Sequence, residues 1–281
     1  MNPDVAVDVA TCLGRHISKL KQIVREVLRR DPQFQAVERL VGYLGCEKAA
    51  LLVVQNALVS YQLNVTGEEY WTRFAEYYTS TDRVFSPSIA DFLRESRSLG
   101  RNMDQKISRV SRFLSTPLPE KILRGWRDYC CNLSQFIREL SEAMKADESS
   151  KTMVFAAKML GYVCEACGET ISGGDIDVPV DYRNAVLLLK TGVISCGDSF
   201  EICVQKVMGE WRKEAVKAWR LMCRASGISC LELDTLLWPI TGHLIRASFD
   251  PRRARVTILE NLQVEVPLEV LEILSGKRPC R

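Results

Sequence analysis

Ser149-Ser150-Lys151-Thr152-Met153-Val154-Phe155-Ala156-Ala157-Lys158-Met159-Leu160 reads as the start of an apolar helix, with two serines followed by a run free of glycine and proline. Positions 151, 155 and 158 are spaced i, i+4 and i+7, so Lys151, Phe155 and Lys158 share one face. An amine, an aromatic plane and a second cation therefore look the same way. Lys158 is the unusual member, because Val154, Phe155, Ala156, Ala157, Met159 and Leu160 would bury most of that helix. Its stem could equally snorkel to solvent.

A second helix follows Val178-Pro179-Val180-Asp181-Tyr182-Arg183, and Asp181 stands at its start as Lys151 does at the first. Backbone N–H groups and the positive dipole end penalise an ammonium at such a place and stabilise an anion. A buried lysine there can lose its proton, while a carboxylate keeps its charge. That pairing equips an amine nucleophile, although Asp181 taken alone also reads as a plain N-cap. Further along, Asp234 and Trp238 are four apart on a helix closed by Pro239, so a carboxylate and an indole again share a face. Alone, Asp234 is a solvated or capping residue and Trp238 a core residue. Together with Gln33 and Trp71 these groups could form a slot for a flat heterocycle whose edge is read by hydrogen bonds. Gln33 and Trp71 also have ordinary readings, as a loop glutamine and a packing tryptophan.

Helical periodicity and end signals recur outward from these segments. Thr66-Gly67-Glu68-Glu69 and Ser229-Cys230-Leu231-Glu232 fit the capping box, Asp198 with Glu201 resembles it, and Ser86-Pro87 places proline at a first helical position. About eleven or twelve helices are expected from such signals, among them single helices over residues 120–144 and 199–225. Residues 255–262 are the one plausible extended piece. No internal repeat or low-complexity tract interrupts the pattern, and an all-α fold follows.

Composition bounds the function. A chain of 281 residues with 47% hydrophobic and 26% charged residues has the balance of a globular protein able to bury a full core. No long apolar run suits a membrane span, and Met1-Asn2-Pro3-Asp4 lacks the features of a signal peptide. An intracellular, cytoplasmic protein is expected. Eleven cysteines point towards metal ligation, or towards the disulfide-rich intracellular proteins of some hyperthermophiles. Yet only Cys164 and Cys167 have metal-like spacing, and neither His16 nor His243 is near them in sequence. The spacings Cys196 to Cys203 and Cys223 to Cys230 do not extend into a four-cysteine cluster motif either. Buried free thiols are therefore expected, with room for an occasional disulfide. A net charge of +3 does not by itself argue for nucleic acid. Arg15, Lys19, Lys21, Arg25, Arg29 and Arg30 load one region, and Arg94, Arg97, Arg101, Lys106, Arg109 and Arg112 another. Such runs can bind phosphates or simply face solvent.

These segments resemble the archaeal GO glycosylases, a branch of the helix-hairpin-helix DNA glycosylase superfamily that removes 8-oxoguanine from DNA. The similarity runs from about Arg30-Asp31-Pro32-Gln33 through Gln55-Asn56-Ala57-Leu58-Val59-Ser60-Tyr61 to the end of Leu233-Asp234-Thr235-Leu236-Leu237-Trp238. Its most specific pieces are Lys151 to Phe155 with Lys158, and Val178-Pro179-Val180-Asp181-Tyr182-Arg183. The superfamily's Gly-x-Gly turn before the lysine is replaced by Asp147-Glu148-Ser149-Ser150, an atypical hairpin like that of the archaeal branch. The resemblance implies two helical subdomains flanking a cleft: residues 46–169 including the hairpin, and residues 1–45 with 170–281. It implies Lys151 as nucleophile and Asp181 as its partner. Phe155 and Trp238 would sandwich the base, with Gln33, Trp71, Lys158 and Asp234 along its edges.

The implied enzyme is a bifunctional DNA glycosylase and lyase that flips out 8-oxoguanine from double- or single-stranded DNA. No metal, organic cofactor or membrane is required, and the protein is expected as a monomer. Two other readings compete: a non-catalytic helical DNA-binding protein, and a lysine-dependent enzyme acting on a small carbonyl compound.

Overall fold

Helical patterning governs nearly the whole chain. The structure, a computed structural model, describes residues 3–80, 85–171 and 176–280; Met1 and Asn2, part of the signal-peptide reading, lie outside them. Among the described residues there are sixteen α-helices and no strand, only the isolated bridges Val5 with Ile194 and Leu63 with Gly100. The all-α expectation holds. No helix among the described residues is long and apolar enough to cross a membrane.

In chain order, α1 (Val7–Ile17) passes through a 3-10 segment (Ser18–Ile23) into α2 (Val24–Arg30). Then come α3 (Pro32–Leu44), α4 (Cys46–Val59), α5 (Gly67–Tyr78), α6 (Ala90–Glu95) and α7 (Met103–Leu114). They are followed by α8 (Leu118–Cys131), α9 (Leu133–Met144) and α10 (Lys151–Ala166). The chain ends with α11 (Tyr182–Lys190), α12 (Phe200–Met208), α13 (Arg212–Ser226), α14 (Cys230–Arg246), α15 (Pro251–Leu262) and α16 (Leu268–Leu274).

Two compact units divide the chain: the first comprises Met1–Asp31 and Asp177–Arg281, the second Pro32–Ile176. In the first unit α1 packs along α13 and α14 against α2, around Leu13, Ile17, Leu187, Trp219, Met222, Leu236 and Leu271. The approach of α1 to α13 is set by Gly14, where a Cβ would fall 2.7 Å from the Met222 carbonyl oxygen and from Ala225 Cβ. In the second unit α4 is the central element, packed by α10, α8, α3 and α7. Every residue from Ala49 to Val59 is buried, and all but Gln55 and Asn56 are apolar, so this helix is enclosed on all sides. Its buried Gln55 is nonetheless paired. The Nε2 group donates to the Leu51 and Pro87 carbonyls (3.1 and 2.8 Å), and Oε1 accepts from the Ile89 amide (3.3 Å).

That pairing corrects one expected helix start. Ser86-Pro87 lies in a loop fastened to α4, and α6 begins only at Ala90. Residues 120–144 do not form one helix, because Asn132 adopts φ −152°, ψ 73° and caps α9 by accepting from the Gln135 amide at 3.0 Å; asparagine favours a cap over a helix interior. Residues 199–225 likewise split, at Gly209 with φ −112°, ψ −100°. Residues 255–262 are helical rather than extended. Asp250 caps α15 through the Arg252 and Arg253 amides (2.9 and 3.0 Å), and Pro251 takes the first helical position, where its missing N–H costs nothing. Pro239 does not close its helix either: α14 continues to Arg246, since buried Leu236, Leu237, Ile240 and Leu244 on both sides outweigh one lost hydrogen bond. The box at Ser229 and Glu232 is complete. At Thr66 the cap hydrogen bond from Glu69 N is present, whereas Asp198 pairs with Lys206 (2.7 Å) instead of capping α12.

The cysteine expectation fails. Ten of the eleven close five disulfides: Cys12–Cys280, Cys46–Cys167, Cys130–Cys164, Cys196–Cys203 and Cys223–Cys230. Exposed Cys131 stands outside these five. Three bridges join residues 34 to 268 positions apart, partners that only the folded chain brings together. Cys164 and Cys167 are each committed elsewhere. Cys46–Cys167 ties the start of α4 to the residue after α10 and spans 121 positions. Replacing both by serine should lower the unfolding free energy by about 5 kcal/mol, the loop-entropy value for such a span, read as a lower denaturant midpoint. A loss below about 1 kcal/mol would show that this cross-link contributes little.

Candidate active site

Lys151 is the first residue of α10 and is exposed, so the burial expected for its amine is not found. The turn before it is held by Asp147, whose Oδ1 accepts from the Ser149 amide and hydroxyl at 2.7 and 2.6 Å and whose carbonyl accepts from the Ser150 amide at 2.9 Å. Ser150 is the N-cap, yet its buried Oγ makes no hydrogen bond among the described residues. Thr152 beside Lys151 accepts from Arg109 Nη2 at 2.9 Å. Moving down the shared face, Phe155 is half-buried and Lys158 is only 1% exposed. Lys158 therefore does not snorkel to solvent.

The second unit gathers four of the expected residues on packed helices: Gln33 on α3, Trp71 on α5, and Phe155 and Lys158 on α10. Trp71 meets Phe155 edge to face, with centroids 6.2 Å apart. Lys158 Nζ lies 5.3 Å from the Tyr162 ring centroid, and Tyr162 in turn packs edge-on against Phe34 at 5.5 Å, next to buried Gln33. Trp71 Nε1 is buried with no hydrogen-bond partner among the described residues, an indole donor held ready in an apolar wall.

Asp181, Asp234 and Trp238 all belong to the first unit. Asp181 is the N-cap of α11, and its two oxygens do different work: Oδ1 accepts from the Asn184 amide at 3.0 Å, and Oδ2 from the indole Nε1 of Trp238 at 2.8 Å. One turn below, Asn184 Nδ2 donates to Asp234 Oδ1 at 2.8 Å and to the Pro179 carbonyl at 2.7 Å. Asn184 is fully buried and Asp234 is 1% exposed, so Asp234 is not a solvated residue. Two polar rungs thus latch α11 to α14. Arg183 completes the arrangement, with its guanidinium carbon 3.7 Å from the Trp238 ring centroid and Nη1 donating to the Trp238 carbonyl at 3.4 Å. Gly242 makes room for it, because a Cβ there would stand 2.9 Å from that guanidinium. Asn184, Arg183 and Tyr162 were missed as site-building residues. Arg183 lies two residues past Val178-Pro179-Val180-Asp181, but nothing in sequence spacing brings it to Trp238.

The two basic runs are less free than their sequence suggests. Arg94 pairs with Asp91, Arg97 hydrogen-bonds Asp104 at 2.8 Å, and Lys19 is 3.4 Å from Glu269. Lys106 is fully buried, 5.0 Å from the Tyr61 ring centroid, and burial lowers its pKa to about 8. It is not a solvent-facing phosphate ligand. No three of the expected site residues offer clustered metal ligands. Among the described residues the one such group is Cys12, His16 and Cys280.

Comparison with solved structures gives the class: the chain has the fold of a helical DNA glycosylase. It superposes with TM-score 0.71 and 28% identity on the crystal structure of the 8-oxoguanine DNA glycosylase from Pyrobaculum aerophilum complexed with 8-oxoguanosine, covering 96% of this chain and 98% of that one. Residues 14–272 match the AGOG family of N-glycosylase/DNA lyases, and the chain belongs to that family. The N-glycosylase/DNA lyase of Pyrobaculum aerophilum is 32% identical over 281 residues, covering 96% of each chain. That of Methanopyrus kandleri is 30% identical over 215 residues, covering 74% of this chain and 79% of its own.

The lower rung of the latch can be tested alone. Asn184→Ala removes a buried donor from Asp234 and from the Pro179 carbonyl, and should cost about 2 to 3 kcal/mol in urea unfolding. A change within about 0.5 kcal/mol would mean that the rung does not hold α11 against α14.

Proposed function

We propose that this N-glycosylase/DNA lyase excises 8-oxoguanine from DNA, with Lys151 as nucleophile and Asp181 as its electrostatic partner. The observation that carries the reading is the match over 96% of the chain to a glycosylase complexed with 8-oxoguanosine. Lys151, at the exposed start of a helix, can present an amine to a large substrate without rearranging the core.

The chemistry follows from these groups. The amine of Lys151, once it has given up its proton, attacks C1′, the bond to N9 breaks, and its electron pair leaves with the base. The carboxylate of Asp181 stabilises the positive charge that develops on the sugar. The amine then forms a Schiff base with the opened sugar, which acidifies C2′. Loss of a C2′ proton expels the 3′ phosphate by β-elimination. This sequence calls for no redox step. Asp181 suits its part because the N-cap hydrogen bond and the indole fix both oxygens in advance of the reaction.

Base choice rests on hydrogen bonding. Relative to guanine, 8-oxoguanine carries a donor at N7 and a carbonyl at C8, so a site with an acceptor for N7–H or a donor for O8 separates the two. A buried group left unpaired by guanine costs about 1 to 3 kcal/mol. Phe155 and Trp238 are assigned to stack on the base, and Gln33, Trp71, Lys158 and Asp234 to its edges. The nucleotide must leave the stack to be read in this way, at a cost of a few kcal/mol.

Borohydride trapping on an 8-oxoguanine duplex tests the central step and separates the competing readings. Wild type should give a covalent protein–DNA adduct that Lys151→Ala loses; an adduct retained by that variant would remove Lys151 from its role. A mere DNA-binding protein would shift the duplex without cleaving it. An enzyme for small carbonyl compounds would ignore the duplex. Asp181→Asn should preserve DNA binding yet slow single-turnover base release at least a hundredfold, the usual scale for losing a transition-state charge partner. Asparagine keeps the cap but offers one oxygen for two donors. Equal rates would refute the electrostatic role.

A further inference from the structure

Cys12 and His16 are four residues apart on α1 and leave it on the same face, where the disulfide brings Cys280 from 268 positions away. One ligand atom from each of these three residues lies within 4.8 Å of the others. Two further observations point to an ion. His16 Nδ1 is buried and has no hydrogen-bond partner among the described residues, so the nitrogen is shielded from water without being used. Glu269 Oε1 stands 3.8 Å from that nitrogen but outside the group of three, so it reaches a shared ion as fourth ligand by rotation of its side chain. Lys19 donates to its Oε2 at 3.4 Å and Arg278 stands 3.7 Å from Oε1.

We propose that Cys12, Cys280, His16 and Glu269 form a redox-gated tetrahedral site for a thiophilic divalent cation of the zinc type. While the sulfurs are bonded to each other they are poor ligands, because a metal takes thiolates. A thiol or phosphine reductant supplies two electrons to the S–S bond and is itself oxidised to a disulfide or phosphine oxide. The two sulfurs take up two protons, and these are released to solvent when the cation binds. Bond lengths of about 2.3 Å to sulfur and about 2.0 Å to nitrogen or oxygen set tetrahedral ligand atoms roughly 3.3 to 3.8 Å apart, so the two sulfurs, 2.06 Å apart in the disulfide, must separate once it is cut while the nitrogen and the carboxylate move in. Two thiolates and a carboxylate outweigh the charge of the cation by one, and Lys19 and Arg278 offset that remainder. The segment carrying Cys280 therefore stays tied to α1 in either state, by a covalent bond when oxidised and by the ion when reduced.

Cobalt(II) is the probe, because tetrahedral thiolate ligation colours it. The full chain, reduced with tris(2-carboxyethyl)phosphine under anaerobic conditions and titrated with Co2+, should develop thiolate-to-cobalt charge-transfer and tetrahedral d–d bands saturating near one equivalent. The oxidised chain should not. His16→Ala keeps the disulfide for folding and should weaken Co2+ at least tenfold after reduction, and Glu269→Gln about tenfold. Cys12→Ser/Cys280→Ser, checked for helicity by circular dichroism, should lose the bands altogether. Absence of the bands in reduced wild type overturns the proposal. So do equal binding by the oxidised chain, an unchanged spectrum in His16→Ala, and bands that survive the double serine variant, which would place the ion on other thiols.

Discussion

A single aspartate does two jobs at the head of α11 and is proposed for a third. Its carboxylate caps the helix, accepts the indole N–H of Trp238, and is the group assigned to the charge that develops on the sugar. These demands are compatible because a helix start already favours an anion there. The cap fixes where Asp181 can be, and the indole fixes how it turns. Asn184 and Asp234 repeat the connection one turn below in a buried setting, where breaking a hydrogen bond is costly. The first unit thereby keeps this carboxyl rigid, which suits electrostatic stabilisation better than a mobile side chain that would have to reorganise.

The fold class was legible because helical periodicity is a local property. Lys151, Phe155 and Lys158 could be placed on one face from spacing alone, and their graded burial follows that face. Errors arose where one signal admits two local structures. Asp250-Pro251 reads as a turn or as a cap with proline at the first helical position, and only the packing of Ala254 and Ile258 into the core decides it. Pro239 reads as a stop until its buried neighbours are known. The pairing of Asp181 with Trp238, 57 positions apart, has no sequence signature at all. Resemblance to a family supplied what spacing could not: the grouping of distant segments and a substrate for the amine.

The cysteines illustrate the same limit. Two pairs share a separation of seven residues, and that repeated spacing is the one trace of the disulfides that the sequence carries. The remaining bridges join segments whose meeting depends on the whole fold. By restricting the unfolded chain they stabilise the protein, and Cys130, Cys164, Cys223 and Cys230 are themselves buried in its core. Within the second unit helix α4 is buried on every side, and the mixed residues Trp71, Phe155 and Lys158 belong to the helices around it.

The guanidinium of Arg183 rests on the indole of Trp238, where Gly242 leaves it space. An aromatic plane has two faces, and here one is already taken by a cation. A flat ring can stack only on the other, so Trp238 is a one-sided surface and a heterocycle meeting it has its direction of approach decided beforehand. The cation also draws on the π-electrons of the indole, which makes the opposite face a better match for an electron-rich ring than for an electron-poor one.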